Sequence, residues 1–207
     1  YRNYRKMLKK LLIVSVISSS AFISPIAMAD TSDSGFYLTA GIGTGLETDI
    51  DGSIDGTDFS ATGRTTFAGG IGLGYELDSN LRVEGGLNRG SSNFDSVTLA
   101  GIKYDVDENG TGTGVGIGVA YDFESDSKFT PFIGASYSIS WAEDADDSSN
   151  SYGINVGIST PVSDDMEFWG AIGLGFSQDE TDEVDDFSVK TDGTTAWGFS
   201  TGLRIKL

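Results

Sequence analysis

The chain has 207 residues, with 31 Asp and Glu against 13 Lys and Arg, a net charge of −18, and neither histidine nor cysteine. That charge excludes a nucleic-acid partner, which needs a basic footprint, and docking on anionic lipid through a basic patch. The missing residue types remove disulfides, thiol chemistry, the usual general base and the usual metal ligand, so neither an enzyme nor a cofactor is expected.

Residues 1–29 read as an upstream stretch and a secretory signal peptide. Lys9 and Lys10 precede the apolar run Leu11 to Ile17, and Ala27-Met28-Ala29 supplies the cleavage site. This leader holds five of the 13 basic residues and none of the acidic ones. Residues 30–207 then form one domain, and its acidity concentrates between the predicted strands.

The first predicted strand covers 35–45. Phe36, Leu38, Ala40 and Ile42 share one face; Tyr37, Thr39, Gly41 and Gly43 share the other. Residues 46–63 read as a long acidic loop. The second strand, 64–76, places Phe67, Ile71, Leu73 and Tyr75 together, and residues 77–80 make a short turn. The third strand starts at Leu81, with Arg82 and Glu84 opposite Leu81 and Val83. Residues 89–109 alternate weakly around Ala100-Gly101. They form either a loop or a hairpin that extends the third and fourth strands above a membrane. The fourth strand, 111–123, sets Val115, Ile117, Val119 and Tyr121 against Gly114, Gly116, Gly118 and Ala120. A short turn leads to the fifth strand at 129–141, and an acidic loop fills 142–151. The sixth strand covers 152–162 and, after a short turn, the seventh covers 166–177. A long acidic loop, 178–195, precedes the eighth strand at 196–207, where Trp197, Phe199, Leu203, Ile205 and Leu207 share a face.

Period two over about ten residues suits a tilted strand crossing a bilayer. Connections alternate long and short, as in outer-membrane barrels with short periplasmic turns and longer outer loops. Closing the last strand on the first removes both edges, which lipid makes compulsory because unpaired backbone groups find no water there. The face opposite the bulky one is mostly Gly, Ser and Ala, too small for a soluble core, so the bulky face points outward. Aromatic residues at strand ends form two girdles: Phe36, Tyr75, Tyr121 and Phe123 below, Trp141, Tyr152, Phe176 and Trp197 above. The expected fold is all-β, an eight-stranded antiparallel up-and-down transmembrane β-barrel.

The hairpin Tyr121-Asp122-Phe123 followed by Phe129-Thr130-Pro131-Phe132-Ile133-Gly134-Ala135 resembles one in the small outer-membrane β-barrel family. That family includes opacity-type surface antigens and the barrel of outer membrane protein A. The ending Gly202, Leu203, Arg204, Ile205, Lys206, Leu207 is similar to the family's C-terminal insertion signal, with Leu207 where members usually carry Phe. The resemblance implies residence in the outer membrane and insertion by the barrel-assembly machinery. Members serve as adhesins, structural proteins, small channels or lipid-modifying enzymes.

Candidate functional residues fall in two groups. Glu76, Arg82, Glu84, Asp122, Arg204 and Lys206 share the inward parity near the short turns, three of each sign. Charges buried there must pair. The cluster reads as structural packing of a narrow base, with Tyr37, Phe132 and Trp169 as filler, or as a salt-bridged plug or gate. Above it, Gly43, Gly70, Gly116, Ser138, Gly157 and Gly175 would line a small water-filled vestibule. The second group is Asp49, Asp51 and Asp55, spaced carboxylates suited in type to Ca²⁺ or Mg²⁺ but without the EF-hand spacing. The bland reading, a solvated acidic surface, is preferred. The expected role is structural or surface-interacting, adhesin-like; the alternative is a narrow porin-like channel. Expected partners are outer-membrane lipid and lipopolysaccharide, the assembly machinery, and divalent cations at the loops, with the protein a monomer.

Overall fold

The computed structural model describes residues 35–63, 67–77, 80–143, 148–184 and 187–207. The leader assigned to 1–29 lies outside them. Twelve strands follow in order: β1 Phe36–Gly45, β2 Thr48–Ile54, β3 Thr57–Gly63, β4 Phe67–Leu77, β5 Leu81–Leu99, β6 Ile102–Asp122, β7 Thr130–Ala142, β8 Ser148–Ser163, β9 Met166–Ser177, β10 Glu180–Val184, β11 Phe187–Thr191 and β12 Thr195–Lys206.

Eight of these close a barrel in the order β1-β4-β5-β6-β7-β8-β9-β12, each antiparallel to its neighbours. Closure runs through β1 and β12, from Tyr37 opposite Lys206 to Gly45 opposite Gly198. Within the barrel wall the described strands therefore keep no open edge, as lipid requires, and only the part of β6 above Gly112 rises beyond its pairing with β7. The predicted parity holds throughout. Leu38, Ile71, Leu73, Val119, Ile154, Val156, Ile172, Phe199, Leu203 and Ile205 all project outward and are exposed. Tyr37, Arg82, Glu84, Asp122, Phe132, Trp169 and Arg204 project inward and are buried. On the lower rim the rings of Phe36 and Tyr75 lie 4.8 Å apart and those of Tyr121 and Phe123 5.3 Å apart.

The four remaining strands revise the loops at 46–63 and 178–195. Each folds as a hairpin, β2–β3 and β10–β11. Asp55 and Gly56 both have positive φ, 48° and 78°, as a two-residue type I′ turn requires. Ala100 and Gly101 repeat that geometry at 50° and 78° between β5 and β6, so 89–109 is the extended hairpin and not a loop. β11 pairs with β2, and β3 pairs with the upper part of β5. The result is one sheet, β10-β11-β2-β3-β5-β6, rising from the barrel wall at the end opposite the short turns. Its inner face holds an apolar core of Ile50, Ile54, Phe59, Ala61, Phe94, Val97, Val106 and Val189. Its outer face carries Asp49, Asp51, Ser60 and Thr98. At the foot of the sheet Glu143 accepts hydrogen bonds from the Thr111 hydroxyl and the Arg89 guanidinium. Those partners hold its carboxyl below the usual range.

Candidate functional site

The lower lumen concentrates the buried chemistry. Arg82, second residue of β5, points inward and meets Asp122 at the end of β6, two residues beyond its cross-strand partner Ala120. Arg82 Nε and Nη2 donate to the two Asp122 carboxylate oxygens at 2.6 and 2.8 Å. Such a fork is the geometry in which arginine binds a carboxylate most strongly. Arg82 Nη1 also lies 3.4 Å from Glu84 Oε1.

Arg204 on β12 faces Glu167 on β9 across the sheet, and its guanidinium donates to that carboxylate. Arg204 Nε stands 3.7 Å from Glu84 Oε1. The same guanidinium sits 5.3 Å over the Tyr37 ring, close enough for a cation–π contribution. The Tyr37 hydroxyl donates to Glu84. Glu84 is thus the hub, reached by two arginines and a phenol.

Four of the six predicted cluster residues, Arg82, Glu84, Asp122 and Arg204, meet in this network. Glu76 and Lys206 flank it. Both are half-buried, one opposite Arg82 and the other opposite Tyr37, and neither makes an ion pair with a described residue. Two residues enlarge the set. Glu167 shares the inward parity of Trp169, a signal present in the sequence, but its level depends on the β9–β12 register. Tyr37 is a hydrogen-bond donor as well as filler. The three-against-three balance is therefore revised: among the described residues the buried charges are Arg82 and Arg204 against Glu84, Asp122 and Glu167.

Aromatic side chains fill the rest of the base, and glycines make room for them. Trp169 passes so close to Gly41 and Gly202 that a Cβ there would meet its ring at 2.8 and 2.6 Å. A Cβ on Gly74 would overlap the Tyr37 ring, and one on Gly157 the Phe132 ring. Gly157 lies opposite Phe132 in the β7–β8 register, so it belongs to the packed base and not to the upper lumen. Tyr37 is buried and donates to Glu84, so its ring cannot swing aside without losing that bond. Gly74→Ala is expected to destabilise the barrel by about 1–3 kcal/mol, the usual penalty for overpacking. Gly85→Ala, whose Cβ would meet nothing nearer than 3.7 Å, should leave the urea midpoint unchanged.

Above the base, Thr39, Gly72, Gly86, Asn88, Gly116 and Ser138 surround a cavity of about 30 Å³, room for a water or two. The hydroxyls of Ser138 and Ser151 lie 2.7 Å apart across β7 and β8.

Asp49, Asp51 and Asp55 do not converge. Asp49 accepts from the Thr62 hydroxyl at 3.0 Å, and Asp55, in its turn, accepts from the Ser188 N–H at 3.0 Å. Among the described residues no group of three or more acidic side chains is placed to hold a metal. At the C-terminus, Leu203, Ile205 and Leu207 are exposed on the outer face of the barrel, while Gly202 lies beneath Trp169.

A closed eight-strand barrel with an apolar exterior and an ion-paired interior is an integral membrane barrel, because only lipid stabilises that inversion of polarity. The chain belongs to the family of the outer membrane protein beta-barrel domain, whose model matches residues 14–146 and 96–207, and it resides in the outer membrane. The fold is similar to that of OprG from Pseudomonas aeruginosa at 14% identity and a TM-score of 0.61, covering 86% of this chain and 99% of that one. It is also similar to Neisserial surface protein A, at 16% identity, a TM-score of 0.50, and coverage of 85% and 100%. For the outer membrane protein AlkL the values are 14%, 0.51, and 89% and 95%. The comparison with curated proteins yields no match.

Proposed function

We propose that this protein is a non-enzymatic structural or surface-interaction barrel of the outer membrane, closed at its periplasmic end. The observation that carries the reading is the base of the lumen. Tyr37, Arg82, Asp122, Phe132, Trp169 and Arg204 are each no more than 2% exposed, and they occupy an interior that eight strands leave only wide enough for side chains. Both arginines are committed to carboxylates, so moving either would expose an unpaired charge to a low-dielectric space. The chain has no histidine, and among the described residues of the base Glu84, Asp122 and Glu167 are held by those arginines, which favours a structural role over acid–base catalysis there.

The extracellular sheet is the surface offered to partners. Its outward Asp49, Asp51, Asp58 and Asp105 suit divalent cations bridging to lipopolysaccharide phosphates. The outward Leu203, Ile205 and Leu207, with Gly202, form the end by which the assembly machinery would take hold of the chain. Full pairing of the barrel wall leaves no strand edge within the membrane and suits a monomer.

Purified protein in planar bilayers should show no steady conductance. Stable, ion-selective openings altered by Glu84→Gln or Arg204→Gln would overturn the closed base and put a narrow porin-like channel in its place.

A further inference from the structure

The lumen-facing row of β5 changes character along its length. It runs Arg82, Glu84, Gly86, Asn88, Gly90, Ser92 and then Phe94. Ser92 and Phe94 are both buried to within 1%. A register shift between Phe94 and Ser96 then brings Val97 onto the same face. On β6 the inward glycines Gly116, Gly114, Gly112 and Gly110 give way to Val106, also buried. The hairpins add Ile50, Ile54, Phe59 and Val189 to this face.

One face of a single-layer sheet is ordinarily wet. Here Val97 and Val189, three pairings apart across β2 and β3, are both 0% exposed. Their burial, in one cluster with residues of β2, β3, β5 and β6, fits a sheet that curls round its own apolar face. The mouth lies below that face, because the same β5 row lines both. Backbone bonds tie the hairpins into the curl. Asp55 N–H donates to Ser188 O and Asp192 N–H to Asp51 O, each at 2.9 Å, and Ala100 N–H donates to Asp58 O at 3.2 Å.

We propose that the extracellular hairpins form an apolar cap that seals the outer mouth of the lumen. The polar chamber around Ser138 is then separated from the outside by packed Ile, Val and Phe side chains, whatever the charged base below it does. Two chemically different barriers result. The base is electrostatic and answers to charge substitutions; the cap is hydrophobic and answers to packing.

The absence of cysteine makes a single introduced thiol a clean probe. Ser138→Cys places it in the chamber and Ser60→Cys on the exposed outer face of β3. Both proteins are inserted into lipid vesicles with the hairpins outward, and a small charged methanethiosulfonate is supplied either outside or trapped within. Supplied outside, it should modify Ser138→Cys at least about 100-fold more slowly than Ser60→Cys, as expected of a site reached only by local opening. In a background of Phe94→Ala with Val97→Ala, the rate from outside should rise at least about tenfold while the rate from inside stays the same, since truncation opens local routes without touching the base. Modification of Ser138→Cys from outside at the surface rate would overturn the cap, and that measurement needs no cap variant to fold. An unchanged slow rate in the folded double variant would also overturn it. Fast modification from inside alone would remove the closed base and leave the cap standing.

Discussion

Arg82→Ala is expected to destabilise the folded barrel by about 3–5 kcal/mol, the usual consequence of removing one partner from a buried ion pair. The substitution takes both fork hydrogen bonds from Asp122 and leaves Glu84 with Arg204 and Tyr37. Three buried carboxylates then face one buried arginine. Urea titration in lipid vesicles, with the mobility shift between unheated and boiled samples as the readout of folding, measures the loss. Pairing the change with removal of the opposing charge, as Arg82→Met with Asp122→Leu, should restore part of the stability, because an apolar pair of similar size has no charge left to desolvate. A double variant as unstable as Arg82→Ala would show that size, and not charge pairing, governs the base.

Val119→Arg should cost on the order of 1–3 kcal/mol, because the site faces lipid between the lower aromatic rim and the bilayer midplane, where a guanidinium is poorly solvated. Val119 lies on the outer face of β6, one outward position above Tyr121 of the lower rim, is 47% exposed, and is flanked on the same face by Val83 of β5 and Ala135 of β7. In a soluble protein a side chain that exposed would tolerate the change almost without effect. Ser60→Arg supplies the contrast: it lies exposed on the outer face of the sheet that rises beyond the barrel wall, and should stay within about 0.5 kcal/mol of wild type. If Val119→Arg folds into bilayers as well as wild type, the apolar face of β6 does not meet lipid.

The alternation of each barrel strand was legible in the residues alone. Val115, Ile117, Val119 and Tyr121 against Gly114, Gly116, Gly118 and Ala120 specify which face of β6 is outside, since a side chain's face is a local property of the pleat. The C-terminal strand behaves likewise, and its pairing with β1 follows once lipid forbids an edge. The sheet beyond the barrel wall was partly legible too. In Asp49-Ile50-Asp51-Gly52-Ser53-Ile54-Asp55-Gly56 the isoleucines keep period two and Asp55-Gly56 is a hairpin turn, yet the carboxylates draw attention to the solvated face. The decisive fact lies elsewhere in the chain. Ile50 and Ile54 become core only beside Val189, Phe94 and Val97, residues that no local window contains.

Height within the lumen is the other property the chain could not reveal strand by strand. Gly157 and Gly116 look alike in sequence, one glycine among alternating glycines. The β7–β8 register puts Gly157 under Phe132, while the β6–β7 register puts Gly116 beside Ser138, half a lumen higher. Glu167 carries the inward parity, but only its pairing with Arg204 brings it to the level of the charged base. Parity is intrinsic to one strand and so is written in its residues. Level is set by the stagger between strands, which accumulates round the barrel until β12 meets β1, and that sum exists only in the closed structure.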